Sequence, residues 1–256
     1  MAGPRTPFLD SPIPLAFAHR GFSPQGLENS LAAFRAAAAL GYTHLESDVH
    51  TTADGVAILF HDDTLLRTTG VPGRIADLPA AVVLQARIGG TEPIVTLAEL
   101  VQAMPATKFN LDVKDAGSVP TLAAAIEEFG LHDRVLVASF SDKRRRAVLR
   151  RLSRPVASSA GTATMAAFVL GGWLPRPLLR WFLRDTDALQ IPRRRFGITL
   201  VTRRSVVRAH RHGLAVHVWT INVPQEMREL FDLGVDGVMT DRADLLADVM
   251  RERGYW

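Results

Sequence analysis

Residues 44–62 read HLESDVHTTADGVAILFHD, and the way this stretch folds decides how the rest of the chain is read. Glu46 and Asp48 lie two residues apart in an apolar run flanked by Leu45 and Val49, so a β-strand here projects both carboxylates from one face. Two such charges repel, and they are tolerable together when a cation sits between them. Hard divalent ions such as Mg2+ or Ca2+ prefer oxygen ligands of this kind. A turn at Ala53-Asp54-Gly55 and a short apolar strand from Val56 to Phe60 would fold the chain back and bring His61 toward the carboxylates. Imidazole is the natural proton carrier near neutral pH.

Outward from this stretch, apolar runs of four to six residues alternate with helical patterns along the whole length, the signature of repeated βα units around a parallel sheet. Eight strands are expected, at 15–19, 44–49, 108–113, 135–139, 155–159, 188–191, 215–219 and 237–240. That number is what an α/β TIM barrel, (β/α)8, requires, although a doubly wound open sheet shows much the same local pattern. The placement of chemistry separates the two. His19, Asp48, Asp112 with Lys114, Trp219 and Asp241 fall at or just beyond the C-terminal ends of different strands, as in a barrel whose βα loops build one site.

The intervening helices have recognisable ends. Asn29-Ser30 can cap a helix through Leu31 and Phe34, with Gly41 closing it. Thr96 and Glu99 have capping-box spacing, and Pro105 soon follows. Further helices are expected at 119–129, 143–152, 203–212, 225–233 and 242–253. Residues 51–107 are too long for an ordinary barrel connection and must hold an insertion after the second strand, which also carries His61.

The chain has 256 residues, 47% of them hydrophobic, which suits one domain over 1–256 with the barrel spanning about 14–253. It has no cysteine, so disulfides, thiolate nucleophiles and Cys-ligated zinc are excluded. Four prolines interrupt the first 21 residues, leaving no signal-peptide core, and no window offers eighteen uninterrupted apolar residues. A cytoplasmic protein without a membrane span is the expectation. Residues 1–128 hold 8 Lys/Arg against 14 Asp/Glu, and residues 129–256 hold 22 against 12. The basic run at 143–154 reads as solvated helix surface without the interleaved aromatics of a nucleic-acid site. The stretch GGWLPRPLLRWFLR at 171–184 sets Leu178, Trp181 and Phe182 on one helical face, with Arg176, Arg180 and Arg184 at four-residue spacing. Core packing is the first reading for such a helix, and peripheral membrane contact the second.

At the end of the first strand His19 is followed by Arg20 and Gly21, joining a proton carrier, a permanent cation and a flexible backbone point. Arg20 can hold phosphate oxygens in a fork, and Lys114 can add a point charge beside Asp112, a third carboxylate for the metal. Phosphodiester hydrolysis needs an activated hydroxyl, neutralised phosphoryl oxygens and a protonated leaving alkoxide. His44, His50, His132, His210, His212 and His217 read as structural or surface histidines, with His50 near enough to the carboxylates to stand in reserve.

The order AHRG at 18–21, LENS at 27–30, ESDVHTTADG at 46–55, FHDDTLLRTTG at 60–70, Asp112-x-Lys114, VHVWTIN at 216–222 and GVDGVMTDRADLL at 234–246 resembles the glycerophosphodiester phosphodiesterase family over nearly the whole chain. The resemblance implies a TIM barrel that uses a divalent metal to hydrolyse deacylated phospholipids to sn-glycerol 3-phosphate and an alcohol. It puts His19 and His61 in the acid–base roles, Glu46, Asp48 and Asp112 on the metal, Arg20 and Lys114 on phosphate, and Trp219 with Phe140 at the pocket wall. In the mechanism it implies, the glycerol hydroxyl attacks phosphorus first and water opens the resulting cyclic phosphate.

The chain departs from the family pattern at Asp112, where a Glu is usual, and at Gln25-Gly26-Leu27 and Ser30, where Ala-Pro and Thr are usual. The shorter Asp112 draws the metal toward the third strand or admits a water. Asp-x-Lys also resembles the sphingomyelinase D branch, so a lysophospholipase D-type activity is the alternative within enzymes. A phosphate- or membrane-binding barrel without turnover is the alternative outside them.

Overall fold

The computed structural model describes residues 6–172, 175–195 and 197–256. Eight parallel strands form a ring: β1 Leu15–His19, β2 His44–Thr51, β3 Lys108–Val113, β4 Val135–Ala138, β5 Ala157–Ser158, β6 Ala188–Pro192, β7 Ala215–Trp219 and β8 Gly237–Thr240. The order is β5-β4-β3-β2-β1-β8-β7-β6, and a parallel bridge from Ser159 to Ala188 joins the two ends. The fold is therefore the (β/α)8 barrel, not the open sheet.

Period-two alternation assigns each strand residue to a layer. Ala16 and Ala18 of β1, Leu45 and Val49 of β2, and Phe109, Leu111 and Val113 of β3 pack outward under the helices in one continuous core. Phe17, Leu136, Ala138, Ala157, Ala188 and Met239 point into the barrel. Phe8, on the short turn Pro7–Leu9, closes its floor, with its ring stacked on Phe17 and edge-on to His44. Both rings are buried there, and burial pushes His44 down to about 4 and His217 to about 3. These two histidines are structural, as expected.

The insertion after β2 begins while that strand is still running. Val49, His50 and Thr51 pair antiparallel with Leu59, Ile58 and Ala57, which extends β2 two residues past its expected end. Ile58, Phe60, Leu65, Ile75, Val83, Ile88 and Ile94 give the insertion its own apolar cluster. Ser30 Oγ accepts from the Ala33 amide at 3.1 Å, and Thr96 and Glu99 form the capping box. Gly21 has φ +83°, and a Cβ there would lie 2.6 Å from the Ala33 carbonyl carbon, so only glycine lets the first βα loop pass under helix Leu31–Ala39.

Two readings of the basic half need correction. Arg145 is not solvated: it is fully buried and pairs with Asp185 at 2.8 Å and Asp142 at 3.3 Å, while Arg146 pairs with the same Asp185 at 2.9 Å. These arginines tie helix Asp142–Leu149 to the segment before β6. In helix Arg176–Leu183, Leu179 and Leu183 are the buried residues, whereas Leu178 and Trp181 are exposed. The core face is offset from the expected one because the helix docks on Thr162–Val169 through Leu179. Trp173, Leu174 and the side chain of Arg176 lie outside the described residues. Among those described, no helix is long and apolar enough to cross a membrane.

Candidate active site

The parallel register brings the polar residues together. His19 lies beside Glu46 across β1 and β2, and Glu46 and Asp48 lie beside Asn110 and Asp112 across β2 and β3. All of these are inward positions near the C-terminal ends of their strands. Together with Arg20, His61 and Lys114 they line a cavity of about 550 Å3 at the barrel mouth, which Phe140 and Trp219 also border. His19, Arg20, Glu46, Asp48, His61, Asp112, Lys114, Phe140 and Trp219, the principal candidates from the sequence, are all in this one space.

Each histidine is held by a carboxylate at Nδ1. His19 Nδ1 is 2.6 Å from Asp241 Oδ1, and Asp241 is fixed in turn by the Asn222 amide at 2.9 Å. His61 Nδ1 is 2.6 Å from Asp62 Oδ1. In both, Nε2 is left for the cavity. Burial disfavours the charged form of His19, but Glu46 and Asp241 outweigh it and raise its pKa above the ordinary value. Hydrogen bonding to Arg67, more than the neighbouring His61, pulls Asp62 down to about 2.

The cations are held between carboxylates. Lys114 Nζ lies 2.8 Å from Asp48 and 2.9 Å from Asp112. Arg20 Nε is 3.2 Å from Asp48 Oδ2, close enough for charge attraction though not aligned for a hydrogen bond, and Arg20 Nη1 donates to Glu28 at 3.0 Å. The Arg20 backbone has φ +57°, a costly conformation for a non-glycine residue. In that conformation its amide faces the Glu46 carbonyl at 3.0 Å and the Glu46 carboxylate at 3.2 Å. Asn29, also left-handed at φ +60°, donates to Asp48 at 3.2 Å and accepts from Ser47 at 2.8 Å.

Charge is left over. Burial, reinforced by Asp48, pushes Glu46 up to about 7. Burial acts on Asp48 in the same direction, but Lys114 and Arg20 overcome it and hold Asp48 below the carboxylate range. Asp112 Oδ1 is buried without a hydrogen-bond partner. Among the described residues, no three His, Asp or Glu side chains converge as a ready-made metal cage. The donor set nevertheless fits a hard cation: an orphan carboxylate oxygen beside a carboxylate whose burial is uncompensated.

The fold brings to the site residues that local sequence does not mark. Asp241 was noted only as a strand-end acid, and its grip on His19 is tertiary. Glu28, Asp62 and Arg67 had no assigned role, yet Arg67 bonds both Asp62 at 2.5 Å and Glu28 at 2.6 Å, linking the insertion to the first βα loop. The signal for Asp62 is its position next to His61; Arg67 shows none before the fold is known. His50, the reserve candidate, points away from the cavity to Asp115 at 2.9 Å and to the His61 carbonyl at 3.2 Å.

A barrel mouth that sets two anchored imidazoles against half-buried cations is suited to cleaving an anionic ester, and comparison with known proteins makes the chain a phosphodiester hydrolase. The model of the glycerophosphoryl diester phosphodiesterase family matches residues 19–245, and the chain belongs to that family. It is 41% identical over 255 residues to a Mycobacterium tuberculosis protein named "Probable glycerophosphodiester phosphodiesterase 2", covering 99% of this chain and 97% of the other. A human lysophospholipase D is 26% identical, covering 91% and 84%. The solved structure of an Oleispira antarctica phosphodiesterase in complex with the product sn-glycerol-3-phosphate superposes with a TM-score of 0.76 at 26% identity, covering 93% and 97%.

Proposed function

We propose that this protein hydrolyses glycerophosphodiesters, such as glycerophosphocholine, to sn-glycerol 3-phosphate and an alcohol, with His19 and His61 as the proton carriers. The observation that carries this reading is the paired anchoring of the two imidazoles by Asp241 and Asp62, each at 2.6 Å, on the wall of one cavity. A module that only binds phosphate needs cations but not two oriented proton carriers. One imidazole takes the proton of the attacking hydroxyl, and the other donates one to the departing alkoxide. Arg20 and Lys114 neutralise the phosphoryl oxygens. Trp219 and Phe140, edge to face at 5.9 Å between centroids, form the wall against the alcohol.

Glu46, Asp48 and Asp112 are the residues that would hold Mg2+ or Ca2+, supported by the unpartnered Asp112 Oδ1 and the raised Glu46. When bound, such an ion supplies Lewis-acid neutralisation of the phosphoryl charge. A cytoplasmic site of action fits a chain that has no cysteine to oxidise.

A second reading, lysophospholipase D-type hydrolysis, is supported by one feature. Met165, Val169, Leu170, Ile191 and Leu200 make one side of the cavity apolar, more than a glycerol diester requires.

Release of glycerol 3-phosphate from glycerophosphocholine by the purified protein, after EDTA and with Mg2+ or Ca2+ restored, tests both. Metal-dependent release that is lost in His19→Ala is the expected result. Activity confined to lysophosphatidylcholine would move the assignment to the second reading, and no release from either would leave a binding barrel.

A further inference from the structure

The rim of the barrel mouth has two unlike sides. On the side of the insertion, Asp62, Arg67 and Glu28 are joined in ion pairs. The opposite side is apolar and faces outward. Phe140, after β4, and Val169 and Leu170, at the end of helix Thr162–Val169, line the cavity and are yet 56%, 52% and 56% exposed. Beside them runs the antiparallel pair Arg194–Arg195 and Ile198–Thr199. Its Arg195 borders the same cavity, and its Ile198 is 64% exposed. Scattered surface apolar residues are ordinary, but a group gathered on one rim is not.

The segments 162–184 and 188–211 hold no Asp or Glu, and exposed Arg194 and Arg195 stand on this rim. Arg193 is turned to Glu226 and Glu229 at 2.9 and 2.5 Å; exposed Arg194 stands beside the apolar tip. Projecting apolar side chains flanked by the exposed Arg194–Arg195 pair suit an anionic lipid surface, where the apolar groups enter the headgroup boundary and the guanidinium groups meet its charge. A second copy of the chain would bring arginines against arginines, so it is the less fitting occupant.

We propose that the protein docks on anionic membrane surfaces through this rim, Phe140, Val169, Leu170 and Ile198 with Arg194 beside them, so that the cavity opens toward the lipid. The inference does not depend on which diester is cleaved, because it concerns the rim and not the reacting groups.

Co-sedimentation of the full-length protein with phosphatidylcholine vesicles, with and without phosphatidylglycerol, tests it. Binding to the anionic vesicles that weakens with salt is expected. Arg194→Glu should weaken partitioning about fivefold or more, and Ile198→Asp should weaken it at every salt concentration. Neither residue lines the cavity, so both variants should keep their circular dichroism and their turnover of a water-soluble diester. Failure to bind anionic vesicles overturns the proposal. So does binding that both substitutions leave unchanged, or a gel-filtration dimer that Ile198→Asp converts to monomer without vesicles present.

Discussion

His19 and Asp241 are 222 residues apart in the chain, yet the His19 Nδ1 lies 2.6 Å from the Asp241 Oδ1. The contact exists because β8 returns to pair with β1, with Ala18 beside Thr240, and so sets the first residue after β8 beside the last residue of β1. It fixes the ring orientation that leaves Nε2 facing the cavity.

Replacing Asp241 with Asn keeps the shape but removes the charge that supports an imidazolium at His19. In the reading given above, kcat falls by about 10²-fold or more, with KM little changed. Steady-state kinetics on glycerophosphocholine checks this, and a kcat within a factor of three of the parent would show that His19 needs no anchor.

Lys114 is the ammonium between Asp48 and Asp112. Lys114→Met leaves two nearly buried carboxylates facing each other, and removing one partner of such a set destabilises by on the order of 3 kcal/mol. If those carboxylates ligate a divalent ion, saturating Mg2+ or Ca2+ should restore stability to the variant more than it adds to the parent. Urea denaturation with and without the ion decides it; equal stabilisation of both proteins would count against Asp48 and Asp112 as ligands.

Arg145 is a cation with no exposed surface; its two terminal nitrogens bond Asp185, Asp142, Ser158 and the Asp185 carbonyl, while Nε is buried without a partner. Arg145→Ala should cost about 3–5 kcal/mol, because it takes from Asp185 one of its two arginines, removes the Arg145 donor from the Asp185 carbonyl and from Ser158, and opens a cavity between helix Asp142–Leu149 and the barrel. Arg150→Ala, on an exposed residue of the same basic run, should stay within about 0.5 kcal/mol of the parent. Thermal melts of the two separate a structural arginine from a solvated one.

His44 and His217 make the barrel floor sensitive to acid. Burial lowers their folded-state pKa to about 4 and about 3, below the unfolded value of about 6.5. The unfolded chain therefore binds protons first. The stability they contribute is complete above about pH 6.5 and is lost as pH falls toward 4, on the order of 1 kcal/mol per pH unit for each histidine. His217 Nε2 has no hydrogen-bond partner, so His217→Leu is expected to fold and to flatten that slope. Urea midpoints between pH 7 and 4.5 report it, and parallel slopes for parent and variant would contradict the assignment.

The sequence by itself determined the barrel. Period-two apolar runs recur as eight strands with acids, cations and histidines at their ends, and local hydrogen bonding and burial translate that periodicity directly into β1–β8. It also determined that Glu46 and Asp48 share a face, since that depends only on alternation within one strand. It placed His19, Arg20, Asp112 and Lys114 at strand ends, where a barrel collects its chemistry.

Only the tertiary structure decided which partner each group meets. Arg145 and Arg151 look alike in a basic run, but packing against Asp185 buries one of them, and nothing local marks that choice. The apolar face of helix Arg176–Leu183 was set by the neighbour it docks on and not by its own periodicity, so Leu179 and Leu183 went inside while Leu178 and Trp181 stayed out. Asp241 met His19, and Arg67 met Glu28, through ring closure and the return of the insertion. These contacts depend on the separation of residues in space, which chain order does not encode.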